Sequence, residues 1–202
     1  MASFSEPDLF LLRRWTDARL LEDSMKSVRH KYEAILEKVL DKVREKHPEF
    51  DSRDVRIAND GVNVGIGRKS WRSKPNYFIS GFWIGEIRID DLTSEDEDAP
   101  DKTIWINHPV DPVNIELATE RLREAAAKIL STEERRDMDT GWGKGIAGIT
   151  YPIQKSRAEL RELLINDESR GFVSYMVAEF ESMTKFMAVV DEIHAVSKRR
   201  GR

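Results

Sequence analysis

Arg68, Lys69, Arg72 and Lys74 lie close together, interleaved with Trp71 and followed by Tyr77 and Phe78, and no acid interrupts them. Cationic heads neutralise phosphates while an aromatic face stacks a base, which is the chemistry of single-strand binding. A second stretch, GWGKGIAGITY, carries the pattern G-x-G-x-x-G at Gly143, Gly145 and Gly148, with Lys144 inside it. Such a loop cradles phosphate when it follows a buried strand and opens a helix, because the helix N-terminus holds the anion. Here the charged run STEERRDMDT precedes the glycines and the extended run ITYPI follows them. No Gly-Lys-Ser/Thr closes a P-loop, and no lysine strand or HRD-like loop follows as in a kinase. The glycines are therefore expected to form a helix stop and a bend, with Trp142 covering it. Candidates for phosphate or nucleic-acid contact are Arg68, Lys69, Trp71, Arg72, Lys74, Gly143, Lys144 and Gly145.

Other catalytic constellations fail on residue type or spacing. A nuclease of the restriction type needs an acid before one strand and Glu-x-Lys in the next, so that carboxylates hold a metal and lysine polarises water. Asp54 or Asp60 followed by Glu86-Ile87-Arg88 comes nearest, but arginine does not adjust its protonation as lysine does. His30, His47, His108 and His194 are scattered, with no paired zinc spacing. His108 stands beside Asp111, whose simpler role is to cap a helix. Ser70, Ser80 and Ser156 lack a Gly-x-Ser-x-Gly elbow. With no cysteine in 202 residues, thiolate nucleophiles, disulfides and iron–sulfur clusters are excluded. No catalytic residue, metal or cofactor is expected.

The elements that must position these residues follow from periodicity. Residues 5–47 read as helix, started by Ser5, Pro7 and Asp8, with breaks expected at Thr16-Asp17 or Glu22–Ser24 and an end at His47-Pro48. Met25, Val28, Tyr32, Ile35 and Val39 recur at three- and four-residue spacing, with Val43 beyond them. That stripe suits packing against the last helix or a coiled-coil homodimer, and these five residues are the candidate interface. Residues 53–108 alternate like strands, with a hairpin at Asn59-Asp60-Gly61 and an acidic loop over DDLTSEDEDAPDK. A helix then runs from Asp111-Pro112 to the STEERRD stretch. Another is capped by Ser156 and Glu159, and after Gly171 a final helix carries Phe172, Met176, Phe180, Met183, Met187 and Val190.

The expected fold is a single α+β domain. Its central sheet has four to five antiparallel strands at about 53–108, flanked by long N-terminal helices and three C-terminal ones. A net charge of −4 argues against bulk attraction to nucleic acid or an anionic membrane. No apolar run approaches the roughly 18 residues that a spanning helix needs, and the N-terminus lacks the marks of a signal or transit peptide. These features lead to a cytoplasmic, non-catalytic binding or regulatory module acting through protein contacts, with a homodimer as one form. The alternative is a phosphate- or nucleic-acid-binding protein, nuclease-like in its enzymatic form, using residues 67–78.

Overall fold

In the computed structural model the Ser5 hydroxyl accepts from the Asp8 amide, and the Asp8 carboxylate accepts from the Ser5 amide at 2.8 Å. This reciprocal cap starts helix α1 (Glu6–Arg13). The structure describes residues 5–50, 52–58, 61–74, 77–78, 80–85, 87, 89–92, 99–107, 112–142 and 146–200. The chain divides into two units, Met1–Ile35 and Leu36–Arg202.

Among the described residues the first unit holds α1, which buries no residue, and the first part of helix α2 (Trp15–Lys46). The break between them falls at Arg14, earlier than Thr16-Asp17 or Glu22–Ser24. Neither polar group interrupts α2. Ser24 donates to the Leu20 carbonyl at 2.8 Å, so its hydroxyl is satisfied inside the helix.

In the second unit the remainder of α2 buries Leu36, Val39, Leu40 and Val43 completely. The helix stops at Lys46, ahead of Pro48, whose ring cannot continue it. Strands β1 (Ser52–Ala58) and β2 (Gly61–Gly67) pair antiparallel as a hairpin, Ala58 opposite Gly61. The turn residues Asn59 and Asp60 lie outside the described residues. Next come β3 (Arg72–Lys74) and β4 (Tyr77–Phe78), a small separate ladder, then β5 (Ser80–Ile84), the short helix α3 (Ile89–Leu92) and β6 (Asp101–Asn107). Leu92 is buried, so the start of the acidic stretch is anchored helix rather than loop.

The α+β architecture is as expected, but the sheet draws on more of the chain. Its order is β1-β2-β5-β6-β8-β7, where β7 (Asp139–Trp142) and β8 (Ile146–Pro152) follow the intervening helices. The run before the glycines is thus helical at Thr132–Arg136, as expected of a helix end, but its last two residues, Asp139 and Thr140, already belong to β7, which pairs antiparallel with β8 at the edge of the sheet. Gly148 lies within β8, where a Cβ would stand 3.0 Å from the Ile104 carbonyl oxygen, so glycine permits the close strand approach.

Helix α4 (Pro112–Ile129) packs on β8. Ser131 and Glu134 form a capping box that starts a separate helix α5 (Thr132–Arg136), so the expected single helix is two. Helix α6 (Arg157–Ile165) has the expected Ser156–Glu159 cap. The break before α7 (Arg170–Thr184) is made by Glu168 and Ser169, both left-handed, while Gly171 sits inside the helix. The final apolar stripe is divided between α7 and α8 (Met187–Arg200), and α8 packs against α4.

Alternation sorts the sheet into two faces. Val64, Ile66, Ser80, Phe82, Ile84, Lys102, Ile104, Ile106, Ala147, Ile149 and Tyr151 are all buried on one. The other carries Gly65, Gly81 and Gly148 beneath the part-exposed indoles of Trp83 and Trp105, whose rings lie 6.0 Å apart.

Candidate functional site

Three groups of side chains are the candidates: the basic–aromatic stretch, a buried lysine cluster, and the exposed apolar surface of the first unit. The basic–aromatic stretch turns inward where it is described. Arg68 follows β2 and pairs with the Asp191 carboxylate on α8, while Trp71, on a short 3-10 turn (Lys69–Trp71), donates its indole N–H to the same carboxylate at 2.8 Å. Trp71 is fully buried, edge-on to Phe50 and Phe82 and stacked on His194 at 6.4 Å. Its faces are occupied by the protein's own rings, and the Arg68 charge is met by Asp191. The side chains of Lys69, Arg72 and Lys74 lie outside the described residues, as do Gly143, Lys144 and Gly145. Asp60, Glu86, His108 and Asp111 also lie outside them.

Beneath Trp71, the Ser80 hydroxyl lies 2.6 Å from His194 Nε2. That pairing is the one nucleophilic serines use. Here both residues are buried, and Asp191, one turn before His194, is engaged by Arg68 and Trp71. The arrangement fastens α8 to β5. It was hidden in the sequence because the two residues are far apart and neither sits in a motif.

The second cluster centres on Lys102, 1 % exposed, on β6. Its Nζ lies 2.7 Å from Glu179 Oε2 on α7, 3.7 Å from Glu134 Oε1 on α5, and 4.6 Å from the centroid of the Tyr151 ring. Burial raises the Tyr151 hydroxyl pKa, with the Glu134 and Glu179 charges adding to it, so the ring stays neutral beside the cation. Burial raises the Tyr175 hydroxyl as well, aided by its contact with Glu179. For Glu134, burial pushes the carboxyl up, but hydrogen bonds from Ser131 and the nearby Lys102 charge outweigh it, and the pKa is lowered. The ammonium is enclosed by carboxylates and an aromatic ring, an arrangement that joins β6 to α5 and α7. One signal could have found it: Lys102 shares the inward period of Ile104 and Ile106.

Among the described residues, no group of three or more His, Asp or Glu could hold a metal ion. A groove of about 300 Å³ between α4 and α8 is lined by Arg121, Lys128 and Lys185 together with Glu124 and Glu192. Arg121 and Glu192 pair there at 3.0 Å. Its mixed charges select no ligand.

The third feature is the surface of the first unit. Leu9, Phe10, Leu11, Leu12, Trp15, Leu20, Leu21, Met25 and Val28 are all exposed, from 40 % at Leu9 to 63 % at Trp15 and Leu21. The expected interface stripe is thereby divided. Met25 and Val28 face outward, Ile35 is half-buried, and Tyr32 and Val39 are buried. No helix among the described residues is long and apolar enough to cross a membrane. No protein-family model matches this chain, and neither a curated protein nor a solved structure matches it.

Proposed function

We propose that this protein is a non-catalytic binding or regulatory module that acts through protein contacts, with the exposed apolar surface at Leu9–Val28 as its interface. One observation carries the reading. Of the eleven large hydrophobic residues exposed among the described residues, nine lie between Leu9 and Val28. Scattered exposed leucines are normal on a soluble protein, but a run of this density on one segment marks a contact surface. Full burial of such side chains is worth about 1.5–3 kcal/mol each. Several together therefore offset the roughly 4–15 kcal/mol cost of association.

The buried polar clusters support the same reading by contrast. Lys102–Glu179 and Ser80–His194 lie where no substrate reaches them, and they connect helices to the sheet. Phosphate or nucleic-acid contact through residues 67–78 draws no support from Arg68 and Trp71, which are committed to Asp191. A cysteine-free chain suits a reducing compartment, in keeping with action in the cytoplasm.

The test places a photo-crosslinking side chain at Leu20, 62 % exposed, and at Ile165, 67 % exposed, as a matched control in the second unit. Protein adducts are expected at Leu20 well above those at Ile165, and they should vanish when Leu21 and Met25 are made glutamate. Equal yields at the two positions would sink the reading.

A further inference from the structure

The sequence of the exposed surface also selects its occupant: we propose that it is covered by a second copy of this chain running antiparallel, with Leu21 of each copy against Met25 of the other. This rests on the protein-contact reading above and deepens it. Ala18, Leu21, Met25 and Val28 succeed one another at spacings of three, four and three residues, the rhythm of a two-helix seam. The last three are exposed, while Tyr32, the next position in the series, is already buried. The free seam therefore ends at Val28.

Charge sets the partner and its direction. Residues 5–23 carry five acids and three bases, whereas residues 24–35 carry three bases and one acid. The two stretches balance, so the segment offers an anionic bilayer no net attraction. Parallel copies would set acidic stretch on acidic and basic on basic. Antiparallel copies set each acidic stretch against a basic one, and the two-fold symmetry repeats every favourable pair. With Leu21 facing Met25, Asp17 comes abreast of Lys31 of the second copy, and both are exposed. Glu22, which would meet its own counterpart near the axis, is paired within its helix to Lys26 at 2.6 Å.

The chain has no cysteine, so introduced thiols report without background. Sedimentation of the full chain across the micromolar range is expected to give a dimer, and the Leu21→Glu, Met25→Glu double variant a monomer. Those positions are solvent-exposed in the single chain, so the variant should keep the circular dichroism of a folded chain, while the thermal midpoint of the parent should rise with concentration and that of the variant should not. A mixture of Leu21→Cys and Met25→Cys chains should form the mixed disulfide faster than either variant cross-links alone. If Leu21→Cys alone cross-links as fast as the mixture, the copies run parallel and the proposal is overturned. A parent chain that sediments as a monomer overturns it too, while photo-crosslinks from Leu20 to other proteins would leave the broader contact reading standing.

Discussion

Lys102 Nζ and Glu179 Oε2 lie 2.7 Å apart, joining the middle of the sheet to helix α7 in a site from which solvent is nearly excluded. A buried pair of this kind contributes little net stability over an apolar pair of the same volume, because both ions must be desolvated. Its removal by halves is a different matter.

Glu179→Ala leaves the ammonium deprived of its nearest anion, and we expect a loss of about 3–5 kcal/mol. The double change Lys102→Met with Glu179→Leu should recover most of that loss. Urea denaturation of the single and double variants checks it. A double variant as unstable as Glu179→Ala would mean that the ion pair itself carries the stability.

Glu134 gives the fold a definite acid dependence. Its pKa is held below the ordinary 4.5 by Ser131 and Lys102 against the opposing effect of burial. A depressed carboxylate contributes stability that is complete above the unfolded value and is lost as pH falls through the folded value. Stability of the parent chain should therefore decline below pH 4.5. Glu134→Gln keeps the shape of the capping residue without titrating, so its decline should be shallower. Denaturation midpoints measured from neutral pH downward decide it, and parallel curves would remove Glu134 as a cause.

Gly65 supports the indole of Trp83 directly: a Cβ at that position would stand 2.6 Å from the ring. Alanine in a mid-strand site ordinarily relieves the entropy cost of glycine. Here the ring must move, and overpacking of this kind costs about 1–3 kcal/mol. Gly65→Ala is expected to destabilise and to shift the tryptophan emission, while Gly65→Ala with Trp83→Leu should recover stability. An unchanged spectrum and midpoint would show that the ring moves freely.

Much of the fold was legible because it is written locally. The Ser5–Asp8 and Ser156–Glu159 caps, the stop ahead of Pro48 and the β1–β2 hairpin each rest on residues a few positions apart. The Ser131–Glu134 cap follows the same rule, and it separates α4 from α5 where apolar spacing alone read a single helix. The β7 strand was less legible. Asp139–Trp142 is too short to show alternation and becomes a strand by pairing with β8. Gly171 looked like a helix break, yet Glu168 and Ser169 take the left-handed geometry, a choice that non-glycine residues seldom make. The polar clusters were least legible, since Ser80 and His194, or Lys102 and Glu179, meet only after the sheet and helices have assembled.

The strand order carries a consequence for biosynthesis. β6 neighbours β5 on one side and β8 on the other, and residues 108–145 are translated between β6 and β8. As the chain leaves the ribosome, β6 stands as a bare sheet edge until Ile146–Pro152 emerges to cover it. Nascent chains stalled ahead of Ile146 should accordingly be the species most prone to aggregate or to recruit a chaperone, and those extended past α8 (Met187–Arg200) the first to resist protease.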